Sequence, residues 1–220
     1  MKLGNNLYLY PEQGMLDCNT YIVTGSPGVI IDPGNAMYLE SKLGRMRQDG
    51  IKPEDIGTIM NTHLHIDHCN ANEPFKTLSG AGIALHPVQK ENYEFVVIEG
   101  ARTFGIEPAE FTADMVPDAD RIQVNGTEWE LIAAPGHSPD CVCFYNRTDR
   151  ILICGDVLFN MNTGRVDLPG GNADQLKASI EGLSGLDIEY LLPGHMDILS
   201  GADNVKANFE YIKGTVFPWL

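Results

Sequence analysis

The sequence predicts one layered α/β domain spanning residues 1–220. Three observations support this prediction: the length, the hydrophobic fraction, and the alternation of strand-like and helix-like segments in both halves. A chain of 220 residues can bury one sizeable core, and a hydrophobic fraction of 43% is typical of a folded chain rather than a disordered one. Alternating strands and helices indicate sheets covered by helices, and periodicity alone leaves parallel and mixed sheets open.

In the first half, short apolar segments bounded by turn residues predict four strands and one helix. The turn Gly25-Ser26-Pro27-Gly28 separates the first two strands. Leu39, Leu43 and Met46 recur at helical spacing, and Gly50 follows as a stop signal. The predicted strands are Cys18–Thr24, Val29–Asp32, Thr58–Thr62 and Gly82–Leu85.

The second half has the same organisation. Asn125-Gly126 between two alternating segments predicts a tight hairpin. Asn172 and Gln175 resemble a helix N-cap with its capping partner, and they precede an apolar helical stripe. The predicted strands are Arg121–Val124, Thr127–Ala134, Cys141–Tyr145, Ile151–Cys154 and Glu189–Leu192, and the helical stripes are Leu176, Ile180 and Leu183, then Val205, Phe209 and Ile212.

The net charge of −15 argues against several classes of partner. An acidic surface repels phosphate backbones and anionic lipids, so we expect neither nucleic acid nor a membrane as partner, and a small molecule as substrate. We find no 18-residue apolar run and no secretory signal at the N-terminus, so we expect a cytoplasmic protein. We expect its odd number of cysteines to be buried free thiols: Cys18, Cys69, Cys141, Cys143 and Cys154.

Five of the six histidines follow apolar segments at predicted strand ends. Four segments share one design, in which an apolar run and a turn precede a side chain able to bind metal. The candidate ligands are His63, His65, Asp67, His68, His137, Asp156 and His195. Residues at the ends of neighbouring strands can converge in space although they are distant in sequence.

Imidazole and carboxylate groups are good ligands for zinc, iron or manganese. The candidates suffice for two divalent ions, and one aspartate could bridge the pair. Taken singly, a histidine after Pro-Gly could be a turn residue, and an aspartate after glycine could be a helix cap. Neither role explains the repeated design. His86, which precedes Pro87, is the exception, and we expect it to be a turn or surface residue.

The stretch His63-Leu64-His65-Ile66-Asp67-His68, followed in order by Gly-His, Gly-Asp and Gly-His elements, resembles the metallo-β-lactamase superfamily. The resemblance extends from Cys18 to His195 and implies a four-layer αββα sandwich. It implies a first metal site of His63, His65 and His137, a second of Asp67, His68 and His195, and Asp156 as the bridge. His65 stands where the flavodiiron branch typically has glutamate, which disfavours an oxygen reductase.

Within the superfamily, Gly164-Arg165-Val166-Asp167 resembles the GRxD segment of glyoxalase II-like proteins and of persulfide dioxygenases. The resemblance implies that Arg165 holds an anionic substrate group, and the alternative is a structural ion pair with Asp167. It also implies that Asp32 orients a ligand histidine, the alternative being a turn-initiating role. Only 25 residues follow His195, so we expect a compact glyoxalase II-like form without the glutathione-binding helical part.

These observations favour a metal-dependent hydrolase in which metal-bound hydroxide attacks a thioester or related carbonyl ester. Asp156 would bridge the ions and Asp67 would help the leaving group depart. The main competing hypothesis is a mononuclear iron persulfide dioxygenase that uses His63, His137 and Asp156. Two further hypotheses are a lactonase or β-lactamase of the same fold and a non-catalytic metal-binding or interaction protein.

Overall fold

The computed structural model describes residues 1–4, 6–117 and 120–220. Its first sheet has five strands in the order β1-β2-β3-β4-β5. The β1–β2 and β2–β3 pairs are antiparallel, and the β3–β4 and β4–β5 pairs are parallel. The strands are β1 (Leu7–Tyr10), β2 (Thr20–Val23), β3 (Gly28–Ile31), β4 (Ile56–Met60) and β5 (Gly82–Ile83).

The second sheet has six strands in the order β13-β12-β9-β8-β7-β6. Only its β12–β9 pair is parallel among the pairs described. Two short strands, β10 and β11, form a separate hairpin beside it. The strands are β6 (Arg121–Val124), β7 (Thr127–Ala133), β8 (Val142–Asn146), β9 (Ile151–Gly155), β10 (Leu158–Phe159), β11 (Asn162–Thr163), β12 (Tyr190–Pro193) and β13 (Leu199–Ser200).

The two sheets pack face to face, because one apolar cluster contains side chains from both. Tyr21 and Ile31 of the first sheet pack in this cluster with Trp129, Phe144 and Ile153 of the second. Successive strand residues point to opposite faces, so the intervening residues of the same strands face outward. Each sheet therefore has a second apolar face that must be covered.

Helices cover both outer faces. On the first sheet, Ile22 and Ile30 pack with Leu43 of α1 and Phe75 of α3. On the second sheet, the outward residues pack against α6 and α7. The helices are α1 (Leu39–Gln48), α2 (Ile66–Cys69), α3 (Asn72–Ser79), α4 (Pro87–Tyr93), α5 (Gly100–Thr103), α6 (Ala173–Leu183) and α7 (Ala202–Tyr211), with π-helical turns at Glu94–Glu99 and Ile212–Val216 and 3₁₀ turns at Ala36–Tyr38, Pro53–Asp55 and Phe217–Trp219. The four-layer αββα sandwich is thus confirmed.

The strands and helices predicted from the sequence are confirmed, with boundaries that differ by one or two residues. Asn125 and Gly126 both have positive φ, as a tight hairpin between twisted strands requires. Asn172 caps α6 by accepting a hydrogen bond from the Gln175 N–H at 3.0 Å. The five cysteines are buried and free, also as predicted. None of the described helices is long and apolar enough to cross a membrane.

His86 corrects one expectation, because its side chain is buried rather than at the surface. It is the N-cap of α4, where its ring Nδ1 accepts a hydrogen bond from the Val88 N–H at 3.3 Å. Its Nε2 lies 3.0 Å from Asp120 Oδ1. His86 belongs to none of the candidate metal-ligand groups, so its exclusion from the ligands agrees with the structure.

Candidate metal centre

The candidate ligands follow strands of both sheets. His63 to His68 follow β4 of the first sheet, whereas His137, Asp156 and His195 follow β7, β9 and β12 of the second. Backbone hydrogen bonds join these strand ends: Val142 N–H donates to Thr62 O at 2.7 Å, and Gly194 N–H donates to Gly155 O at 2.8 Å. The ligand-bearing turns are therefore fixed relative to one another by the packing of the two sheets.

His63, His65 and His137 form the first ligand group. Nδ1 of His65 lies 3.1 Å from Nε2 of His63 and 3.0 Å from Nε2 of His137. His137 donates its Nδ1 hydrogen to Arg165 O at 2.8 Å, so its Nε2 presents a lone pair to the group. Three imidazole nitrogens that face one point are a suitable ligand set for a divalent cation.

Asp67, His68 and His195 form the second ligand group. Nε2 of His195 lies 3.4 Å from Asp67 Oδ2. The opposite ring nitrogens are held by carboxylates: His68 Nδ1 lies 3.0 Å from Asp32 Oδ2, and His195 Nδ1 lies 2.8 Å from Glu12 Oε2. Carboxylates in these positions hold a hydrogen on Nδ1, so Nε2 is the nitrogen that can bind metal once it loses its own proton.

Asp156 lies between the two groups. One of its oxygens, Oδ1, is 3.4 Å from His68 Nε2. The other, Oδ2, is 3.4 Å from His195 Nε2 and 3.7 Å from His137 Nε2. The structure thus brings together all seven ligands that the sequence suggested.

Two buried atoms at the contact between the groups support a fit to metal. Among the residues that the structure describes, His68 Nε2 and Asp156 Oδ1 are buried without a hydrogen-bond partner. Unpaired buried polar groups are costly, and most such groups in folded proteins have a partner. A cation bound by both atoms would supply it, so the donor set fits the divalent metals that the sequence suggested.

Burial keeps His63 and His65 of the first ligand group in the neutral form that binds metal. Burial and the neighbouring His137 lower the pKa of His65 to about 3. Burial and the charge of His68 hold the pKa of His63 well below its usual value. Neither ring has to lose a proton at neutral pH before it can bind a cation.

The second ligand group has the opposite electrostatics. Burial disfavours the charged form of His195, but hydrogen bonds to Asp156 and Asp67 outweigh burial and raise its pKa to about 11. Burial likewise disfavours the ionised form of Asp67, but the charge of His68 and a hydrogen bond from His195 hold its pKa below the usual range. The aspartate is therefore an anion at neutral pH, and the histidine exchanges a proton for a metal.

Asp32 is fully buried and accepts several hydrogen bonds besides that of His68. Its Oδ1 accepts the Thr62 N–H at 2.7 Å and its Oδ2 accepts the Thr62 hydroxyl at 2.7 Å. Lys42, also fully buried, holds the adjacent loop by donating to Asp17 Oδ1 at 2.7 Å and to Pro33 O at 3.2 Å. Asp32 therefore lies where the sequence placed it, beside a ligand histidine.

Sequence reasoning missed Glu12 and Lys42. Besides contacting His195, Glu12 accepts the Met196 N–H through Oε1 at 3.1 Å, and so joins the N-terminal segment to the last ligand loop. Glu12 precedes His195 by 183 residues, and no local pattern connects the two. Lys42 lies in an ordinary amphipathic helix, where a lysine is usually exposed.

Arg165 lies at the edge of the site, and its backbone and side chain have different roles. Its carbonyl orients His137, as described above, whereas its guanidinium forms two hydrogen bonds with the Asp167 carboxylate at 2.6 and 2.7 Å. The structural ion pair, one of the two roles that the sequence left open, is therefore present. This pair uses Nε and Nη2 of the guanidinium and does not involve Nη1.

The ligand groups open onto a cavity of 610 Å³. Its lining includes His65, Asp67, His137, Asp156 and His195 together with many apolar side chains. A largely apolar cavity with a few converging polar groups is the usual form of a small-molecule site. The arrangement can place the carbonyl group of a small molecule beside both ligand groups.

Residues 14–195 match the family model described as the metallo-beta-lactamase superfamily. The chain is similar to an uncharacterized protein of Aquifex aeolicus, with 32% identity over 154 residues and 70% of each chain covered. It is similar to the probable metallo-hydrolase YqgX of Bacillus subtilis, with 29% identity over 191 residues and 86% of each covered. Among solved structures it is similar to TTHA1623 in a di-iron-bound form, with a TM-score of 0.73, 29% identity, and 96% of this chain and 100% of that chain covered.

Proposed function

Because this chain belongs to the metallo-β-lactamase superfamily, we propose that it is a hydrolase that uses two divalent cations to cleave a thioester or a related carbonyl ester. One observation supports this proposal above all others. Two complete ligand groups adjoin across Asp156, and members of both line the same cavity. The similarity to a probable metallo-hydrolase and to a di-iron-bound structure agrees with it.

In this proposal the first ligand group would hold one cation, the second group would hold the other, and Asp156 would serve both. A pair of divalent cations acidifies a water molecule and polarises a carbonyl group. Asp32 and Glu12 keep His68 and His195 in the tautomer that binds metal. No serine or cysteine nucleophile is needed, which agrees with the burial of all five cysteines.

The protonation state of Asp67 favours a thioester over an amide. Asp67 lines the cavity, but its pKa lies below the usual range, so it holds a proton only weakly. Burial disfavours the ionised form of Asp156, the other carboxylate of the lining, but the charge of His68 and a hydrogen bond from His195 hold its pKa well below the usual value. A thiol with a pKa of about 8.5 can leave as an anion, whereas an amine must be protonated by a group that still holds a proton at neutral pH.

The GRxD segment, which lies at the cavity through Arg165, supports a compact glyoxalase II-like enzyme within the superfamily. A persulfide dioxygenase would need only His63, His137 and Asp156 with one iron. The dioxygenase hypothesis gives no role to the second ligand group or to its orienting partners Asp32 and Glu12. This complete second group favours the hydrolase.

Metal analysis combined with a thioester panel tests the proposal. We expect two zinc, iron or manganese ions per chain and hydrolysis of at least one thioester, with loss of activity after chelation and its return on metal addition. Asp156→Asn should lose paired binding and activity together, whereas Asp203→Asn, at an exposed position of α7, should lose neither. One iron per chain with oxygen consumption on a persulfide would instead establish the dioxygenase.

A further inference from the structure

The cavity beside the ligand groups is apolar over most of its lining. The 95–106 segment, which runs from the π-helical turn through α5 to Ile106, contributes Phe95, Val97, Phe104 and Ile106. Other apolar side chains come from distant loops: Leu16, Phe159, Leu168, Pro169 and Met196. Two cations and a water molecule would be held by polar groups, so they do not account for this apolar surface.

Part of this apolar surface is open to solvent. Phe104 is 57% exposed, Leu16 is 56% exposed and Met196 is 53% exposed. Exposed apolar side chains grouped around a cavity mark a binding surface more often than an inert one. An apolar substrate group that covered these side chains would remove them from water.

The side chains of the lining offer little to hold an anionic substrate group. Its carboxylates, Asp67 and Asp156, belong to the ligand groups, and its cationic side chain, Arg165, is paired with Asp167. Among the described residues of the lining, no lysine and no second arginine is present to meet a carboxylate or phosphate. The chain as a whole has a net charge of −15, which adds a repulsive field.

We infer that the substrate has an apolar acyl group, which lies against the 95–106 segment, joined to a small thiol without several negative charges. The inference rests on the hydrolase proposed above and specifies its substrate class. In the reaction, water adds its oxygen to the acyl carbon, the carbon–sulfur bond breaks, and the thiolate leaves with the bonding electrons. The products are an apolar carboxylic acid and the small thiol.

A series of N-acetylcysteamine thioesters with acetyl, butanoyl, hexanoyl and octanoyl groups tests the inference with the metal-loaded protein. We expect kcat/KM to rise about fourfold for each buried methylene group, which corresponds to about 0.8 kcal/mol. We expect a glutathione thioester with the same acyl group to react about tenfold more slowly, because the described lining offers its extra carboxylates no cationic side chain besides Arg165, which is paired with Asp167, and the net charge of the chain is −15.

Two variants separate binding by the 95–106 segment from general effects on the protein. Phe104→Ala should lower the ratio of octanoyl to acetyl kcat/KM about tenfold, as expected when about half of a phenylalanine contact is lost. Trp219→Ala provides the matched control, because Trp219 is 87% exposed and does not line the cavity. It should leave the ratio unchanged.

Calorimetry with the product acids gives a second readout that needs no turnover. Octanoate should bind more tightly than acetate and with a more negative heat-capacity change, and Phe104→Ala should reduce both differences. A flat or falling chain-length profile, or faster cleavage of the glutathione ester, would overturn the inference and leave the hydrolase intact. Failure to cleave any ester with two ions bound would instead refute the hydrolase.

Discussion

Replacement of Asp32 by asparagine tests how the site controls His68. Asparagine has nearly the same shape, and it tolerates the positive φ of 54° at this position better than most residues. Its amide, however, has a donor where the carboxylate has only acceptors. If the amide nitrogen replaced Oδ1, it would face the N–H of Thr62 and the side-chain amide of Asn61, both of which are donors.

The less costly orientation turns the amide nitrogen toward His68, because the Thr62 hydroxyl can rotate and accept instead. The amide then donates to His68 Nδ1, and the ring hydrogen moves to Nε2, the atom that faces Asp156. Loss of an orienting partner of this kind lowers metal affinity by about 10- to 100-fold. Loss of a hydrogen bond to a charged group should also lower the free energy of unfolding by about 1.5–3 kcal/mol.

Zinc titration by calorimetry and urea unfolding in a chelator measure the two effects separately. Asp140→Asn is the matched control, since Asp140 is equally buried and accepts the Leu64 N–H at 2.8 Å without contacting a ligand histidine. Its other partner, the Ser138 hydroxyl, can rotate to accept from the new amide. We expect the control to bind both ions normally. Two unchanged zinc affinities in Asp32→Asn would refute this account of His68.

Three further outcomes follow from the same geometry. Glu12→Gln should weaken the second zinc about tenfold in a titration, because the exposed amide orients His195 less well than a carboxylate does. Affinity of the second ligand group should rise about 10- to 100-fold per pH unit, because raised pKa values keep His68 and His195 protonated until a cation displaces the protons; proton release measured in two buffers checks this. Lys42→Met should lower the free energy of unfolding by about 3–5 kcal/mol in urea, because it leaves the buried charge of Asp17 unpaired; an unchanged midpoint would contradict that role.

The sequence was most informative where local pattern and tertiary structure agree. The central strands β2, β3, β8 and β9 are short segments buried at every position, and turn residues bound them in the sequence. The edge strand β1 (Leu7–Tyr10) was not predicted, although it is as long as β3 and β6. The 95–106 segment was not predicted either, because π-helical turns break the regular spacing of its apolar residues.

The candidate ligands could be predicted from the sequence, because histidine and aspartate are recognisable metal-binding residues one at a time. Histidine and aspartate after Gly or Pro-Gly turns are recognisable wherever they occur, and the structure brings those residues together. Their supporting contacts are not recognisable in the same way. Glu12 contacts His195 because β1 and β12 lie in sheets that pack together. No local pattern in the sequence indicates that these two residues are neighbours. In the sequence, a carboxylate that orients a ligand cannot be distinguished from an ordinary surface carboxylate.

The division of the ligands between two sheets couples metal binding to the stability of the whole sandwich. The first sheet supplies four ligands through the loop after β4, and the second sheet supplies the other three. Separation of the sheets would therefore scatter both ligand groups, so a cation that binds the folded chain stabilises it by RT ln(1 + [L]/Kd). Buried atoms without a partner, such as His68 Nε2 and Asp156 Oδ1, lower the free energy of unfolding. A cation that bound both atoms would remove this cost. A cation bound by these residues would thus stabilise the fold.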